Sequence, residues 1–149
     1  MLDFKDDPVP AYGDDFIRWL ESQAAFLRAG RLEQLDSENL IDELISMANR
    51  DRRELNHRME LLIVQLLKCQ FQPDHKTHSW EHTIYEQRSQ IRLIIEDSPS
   101  LRNTLRERLE AHYPHALRQA ARETRLPATQ FPSRSPYTIE QLLDDDFLP

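Results

Sequence analysis

His78, Glu81 and His82 spell H-x-x-E-H inside the stretch DHKTHSWEHTIYEQR. In some zinc peptidases such a string sets two imidazoles one helical turn apart as metal ligands, with the carboxylate beside them as general base. A second group mixes polar with apolar residues: Lys68 and Gln72 flank the end of one hydrophobic run, and Gln87 and Arg88 follow Trp80 in the next. An ammonium, a guanidinium and two amides brought together would suit an anion, or would tie helices to one another. Cys69 lies among Leu66, Leu67 and Phe71 and reads as a small buried apolar residue, not a nucleophile. The serines and histidines assemble no triad.

Which chemistry is open depends on the elements that carry these groups. Pro8 and Pro10 keep residues 1–13 extended as a lead-in. Asp14 is the expected N-cap of a first helix running to about Ala29, with Phe16, Trp19, Leu20, Gln23, Ala24 and Leu27 along its inner side and Gly30 at the left-handed position after it. Asp36 caps a second helix. Leu40, Ile41, Leu44, Ala48, Leu55, Met59, Leu62, Leu66 and Cys69 recur at three- and four-residue steps until Pro73, one stripe on a helix of about 30 residues, on the order of 45 Å long. A break near Met47–Arg50 is open, although neither glycine nor proline demands it.

A third helix starts near Thr77 or Ser79 and ends at Asp97. Ser98-Pro99 reads as the cap and first residue of a fourth, which Pro114 should kink or split after Tyr113. Residues 126–149 read as a proline-rich loop, a short helix opened by the Thr138/Gln141 capping box, and the acidic tail DDDFLP. The expected fold is therefore all-α: a bundle of four main helices, one of them long, plus a short C-terminal helix, in a single domain over residues 14–149. A stretch of the long stripe left uncovered would become a dimer interface.

On the third helix, with Trp80 at the centre of the inner face, Ile84, Gln87, Ile91 and Ile94 fall within roughly 40° of it, whereas His78 and His82 lie roughly 160° away. The histidine pair thus points to water and is at most a weak surface metal site. A hydrolytic zinc needs a third ligand and a shielded pocket, and nothing in the sequence brings His112 or His115 across to supply them. Gln87 is the polar group expected to be buried.

The composition excludes other classes. Two glycines in 149 residues cannot build a P-loop or a Rossmann turn. One cysteine forms no internal disulfide, so a reducing, cytoplasmic setting is expected. No apolar run reaches the roughly 18 residues of a membrane span, and the acidic start MLDFKDDPVPAYGDD lacks the apolar segment of a secretion signal. The net charge of −7 argues against nucleic acid as a partner, since phosphate contacts dominate that affinity. Residues 61–125 nevertheless carry a net +2.

The stretches DDFIRWLESQAAFLRAGRLEQLDSENLIDELI, RREL, LLKCQFQP, SW…TI.EQR, EDSPSLR and PYTIEQLLDDDFLP together resemble a bacterial family of unknown function. It is number twenty-nine in the domain-of-unknown-function series, frequent in cyanobacteria and proteobacteria. The likeness covers about Tyr12 to Pro149. It implies a small helical protein with no assigned activity, and its pattern includes Trp19, Lys68, Gln72, Ser79-Trp80 and Gln87-Arg88 but not the histidines at 75, 78 and 82. The function expected is non-enzymatic: a bundle acting through protein–protein contacts, with another protein or with itself as a homodimer, and without a cofactor. The long second helix and the Phe147-Leu148 anchor in the tail motivate it. Two alternatives are a small-ligand or enzyme site at Lys68, Gln72, Trp80, Gln87 and Arg88, and a regulatory partner such as half of a toxin–antitoxin pair using Arg102, Arg106, Arg118 and Arg122.

Overall fold

The computed structural model describes residues 8–149. Among them there is no strand, and the long helices are α1 (Phe16–Arg28), α2 (Ser37–Phe71), α3 (His78–Asp97) and α4 (Leu101–Thr124), followed by the short α5 (Ile139–Leu143). None of these is long and apolar enough to cross a membrane. The contacts group into two compact units, Met1–Ala48 and Asn49–Pro149, with α2 contributing to both.

The first unit is organised around the start of α2. Asp15, not Asp14, caps α1: its carboxylate accepts from the Arg18 amide at 3.1 Å, while the Asp14 amide closes a turn on Ala11 O. At the other end Gly30 takes φ +69°, and the amides of Gly30 and Arg31 return to Leu27 O and Phe26 O. That is the paired closure a left-handed C′ residue permits. Only Trp19, Ser22 and Gln23 of α1 are buried; Phe16, Ala24 and Leu27, expected on the inner side, are exposed.

α2 continues through Met47–Arg50 without a break for 35 residues, about 52 Å at 1.5 Å per residue. Its stripe becomes core in the second unit, where Leu55, Met59, Leu62, Leu66 and Cys69 are buried. Ile84 and Ile91 of α3, Leu101, Leu105, Leu109 and Tyr113 of α4, and Ile139 and Leu142 of α5 complete the same cluster.

Thr77 caps α3, accepting from the Trp80 amide at 3.4 Å. The expected cap of α4 and the expected split at Pro114 do not hold. The cap position is Ser100, because Ser98, held extended before Pro99, forms a turn in which Leu101 N donates to Ser98 O and Arg102 N to Pro99 O. Pro114 neither splits nor ends the helix. It sits on the exposed side, where water can satisfy the carbonyl left without its amide partner. α5 opens with both bonds of the Thr138/Gln141 capping box, at 3.2 and 3.0 Å.

Residues 126–149 wrap onto the helices. The Tyr113 hydroxyl donates to Pro132 O at 2.6 Å and the Tyr137 hydroxyl to Gln70 Oε1 at 2.8 Å. Phe131 meets Phe71 edge to face at 5.2 Å, and Phe147 meets Tyr137 at 5.9 Å. The acidic tail is thus an internal brace: Phe147 packs on the core, and only Leu148 of the expected anchor is exposed.

Candidate functional site

The five polar-cluster residues occupy two separate places in the second unit. Near the end of α2, the Lys68 ammonium lies 4.5 Å from the centre of the Trp80 ring and 2.9 Å from Glu123 Oε2 on α4. One turn on, Gln72 Nε2 donates to Thr124 O at 3.3 Å. Lys68 and Gln72 therefore both fasten α2 to the end of α4, with Trp80 as the apolar floor under the ammonium.

Gln87 and Arg88 lie two turns further along α3. Gln87 is half-buried and accepts from Arg58 Nη1 at 3.3 Å, an Arg58 that also pairs with Glu54. The buried polar group is Arg88, at 1% exposure. Its Nε donates to Leu142 O at 2.9 Å and its Nη2 to Gln141 O and Phe147 O at 3.1 and 2.8 Å. The expectation of a buried Gln87 placed Trp80 at the face centre. Trp80 is only half-buried at the helix start, and Ile84, Arg88 and Ile91 define the true face, turned by roughly 40°.

Burial lowers the Arg88 pKa, and Asp145 and Asp144 act against that loss. The guanidinium keeps its charge regardless. A cavity of about 170 Å³ beside it is lined by Glu81 and Asp145. An anion there would meet two carboxylates, and Arg88 already spends three hydrogen bonds on backbone carbonyls.

His75, His78 and His82 are exposed. His112 pairs with Glu60, and His115 lies 3.0 Å from Arg118. Among the described residues, no group of three or more His, Cys, Asp and Glu side chains is placed to hold a metal.

One arrangement in the first unit escaped the sequence reading. Asp36 accepts from Trp19 Nε1 at 3.2 Å and Asn39 Nδ2 at 2.8 Å, while its own amide donates to Gln23 Oε1 at 2.8 Å. The Asn39 hydrogen bond lowers the Asp36 pKa. A broad cleft of about 730 Å³ opens over Trp19, Gln23 and Asp36. Asp36 as a cap and Trp19 as an inner residue were each legible, but the bond between them spans seventeen positions and has no periodic signature.

Residues 11–148 match the family described as Domain of unknown function DUF29, and the chain belongs to that family. No curated protein and no solved structure matches it.

Two predictions follow from the fasteners. Arg88→Met should leave the carbonyls of Leu142 and Phe147 without the Arg88 donor and Gln141 O with only the Asp144 amide, at a cost of about 3–5 kcal/mol. Denaturant unfolding would measure that loss, and a loss below about 1 kcal/mol would contradict the brace. The second concerns Glu123. Burial raises its pKa, but the Gln119 hydrogen bond and the Lys68 ammonium outweigh that and hold it below the usual 4.5. A carboxylate with a lowered folded pKa contributes stability above its unfolded value and loses it as pH falls through the folded one. Glu123→Gln should thus melt below the native protein at neutral pH, with the gap in Tm closing below about pH 4.5. A gap that stays constant into acid would exclude the ion pair as its cause.

Proposed function

We propose that this member of a family without an assigned activity works through protein–protein contacts and has no catalysis of its own. The observation that carries the reading is the state of the α2 stripe. Ile41, Leu44 and Ile45 are 55–63% exposed, yet they lie on the face that is core from Leu55 onward. Ile17, Leu27 and Leu32 in the same unit are exposed as well. Large apolar side chains gathered in one region of a surface mark an interaction site more often than chance exposure does. The ligand-site alternative has less support, because Lys68, Gln72, Gln87 and Arg88 are all engaged with partners inside the fold. Of the two features that motivate the reading, the tail anchor at Phe147 serves the chain's own core, and α2 remains as the contact surface. A cytoplasmic setting, with Cys69 reduced, goes with it.

The test is the double variant Leu44→Glu/Ile45→Glu in the full chain. Its helicity and melting should stay close to those of the native protein, since both side chains are exposed. Complexes formed by the native chain, read by crosslinking in cells and by native mass, should be lost. Complexes that survive the double charge would contradict the reading.

A further inference from the structure

The partner for this face can be read from the order of residues along it. At about 100° per residue, Ile41, Leu44, Ile45 and Ala48 form one patch, while Glu43, which accepts from the Tyr12 hydroxyl, lies on the other side of the helix. Along the patch runs a line with a spacing of seven: Glu38, Ile45, Arg52. The two charges are therefore equidistant from Ile45, each about 10 Å away along the axis. Among the described residues neither charge meets an opposite charge. Glu38 has no ion pair among the described residues, and Arg52 meets only the Asn49 side-chain oxygen, at 3.2 Å.

A partner for this strip needs an apolar centre with a base opposite Glu38 and an acid opposite Arg52. The strip itself, turned end for end, has that order. We propose that α2 pairs antiparallel with α2 of a second copy about a two-fold axis at Ile45; this rests on the protein-contact reading above and names its partner. Ile45 then meets its own counterpart, and each Glu38 lies level with the second copy's Arg52, giving two symmetry-related ion pairs across an isologous contact. Opposite charges at the flanks of an apolar seam set both partner choice and orientation. The strip is about 21 Å long on a helix about 10 Å across. That is a footprint of about 210 Å² on each copy, well below the roughly 1,000 Å² of a stable specific interface, so the dimer is weak and forms reversibly as concentration rises.

The experiment uses charge reversal in the full chain, with native mass read by light scattering and sedimentation across a concentration series. The native protein should move from one to two chain masses as concentration rises. Glu38→Arg and Arg52→Glu should each weaken dimerisation at least about tenfold, the range of 1.4 kcal/mol or more. The double variant carrying both reversals should restore it, because the swapped ends are again complementary. In parallel, Ile45→Cys should form a disulfide-linked dimer under mild oxidation, since the native Cys69 is buried. Arg50→Cys, about 140° around the helix, should not. A native chain that stays monomeric, single reversals without effect, or a double variant that fails to recover would each overturn the pairing. If the native chain is monomeric while Leu44→Glu/Ile45→Glu still loses a complex with another protein, the contact reading stands and the second copy falls.

Discussion

The structure depends on one unbroken helix. α2 runs for 35 residues with its apolar stripe in register from end to end, since neither glycine nor proline interrupts Ser37–Phe71. Its two halves meet different environments. From Leu55 to Cys69 the stripe is the spine of the second unit's core; from Ile41 to Ala48 the same face is exposed. Apolar area in water forgoes about 25 cal/mol per Å² relative to burial, so an uncovered half-stripe is a standing drive toward association. The folding of the second unit and the contact proposed for the first thus draw on one sequence pattern.

Around that spine the polar groups act as fasteners. Arg88 shows how a buried charge is tolerated: its planar fork meets three backbone carbonyls of the C-terminal segment, so those acceptors and the guanidinium satisfy each other. Tyr113 of α4, Gln70 of α2 through the Tyr137 hydroxyl, and Arg92 of α3 through Asp145 hold the same segment. Residues 126–149 contain only one five-residue helix, and side-chain bonds to their backbone replace the ladder a longer element would have supplied. Lys68 and Gln72 do the equivalent work at the end of α4.

Much of this was legible in the residues, and the limits have physical reasons. The helices, the Gly30 stop, the capping box at Thr138 and the stripe of α2 follow from periodicity and local hydrogen bonding, which act over a few positions; whether α2 breaks near Met47–Arg50 is open in the sequence. Cap positions slipped by one or two: at α1 the neighbouring Asp14 and Asp15 compete for the same amide, and at α4 the backbone turn on Ser98 and Pro99 moves the start to Ser100. Pro114 misled because its cost depends on which side of α4 faces water, and that is set by packing. The exchange of Gln87 for Arg88 came from centring α3 on a tryptophan at its frayed start. The Trp19–Asp36–Gln23 bonds and the carbonyl clasp of Arg88 are long-range pairings, and no local pattern announces them. Phe147 read as a free anchor since its partner, Tyr137, lies on the other side of α5.

The central claim is that one continuous stripe is core along half its length and contact surface along the other. Hydrogen exchange of the α2 amides, followed at low and high protein concentration, tests it most directly. The account predicts strong protection of Leu55–Cys69 at every concentration and protection of residues 37–52 that rises as the chain is concentrated. Protection of both halves that is equal and independent of concentration would contradict it.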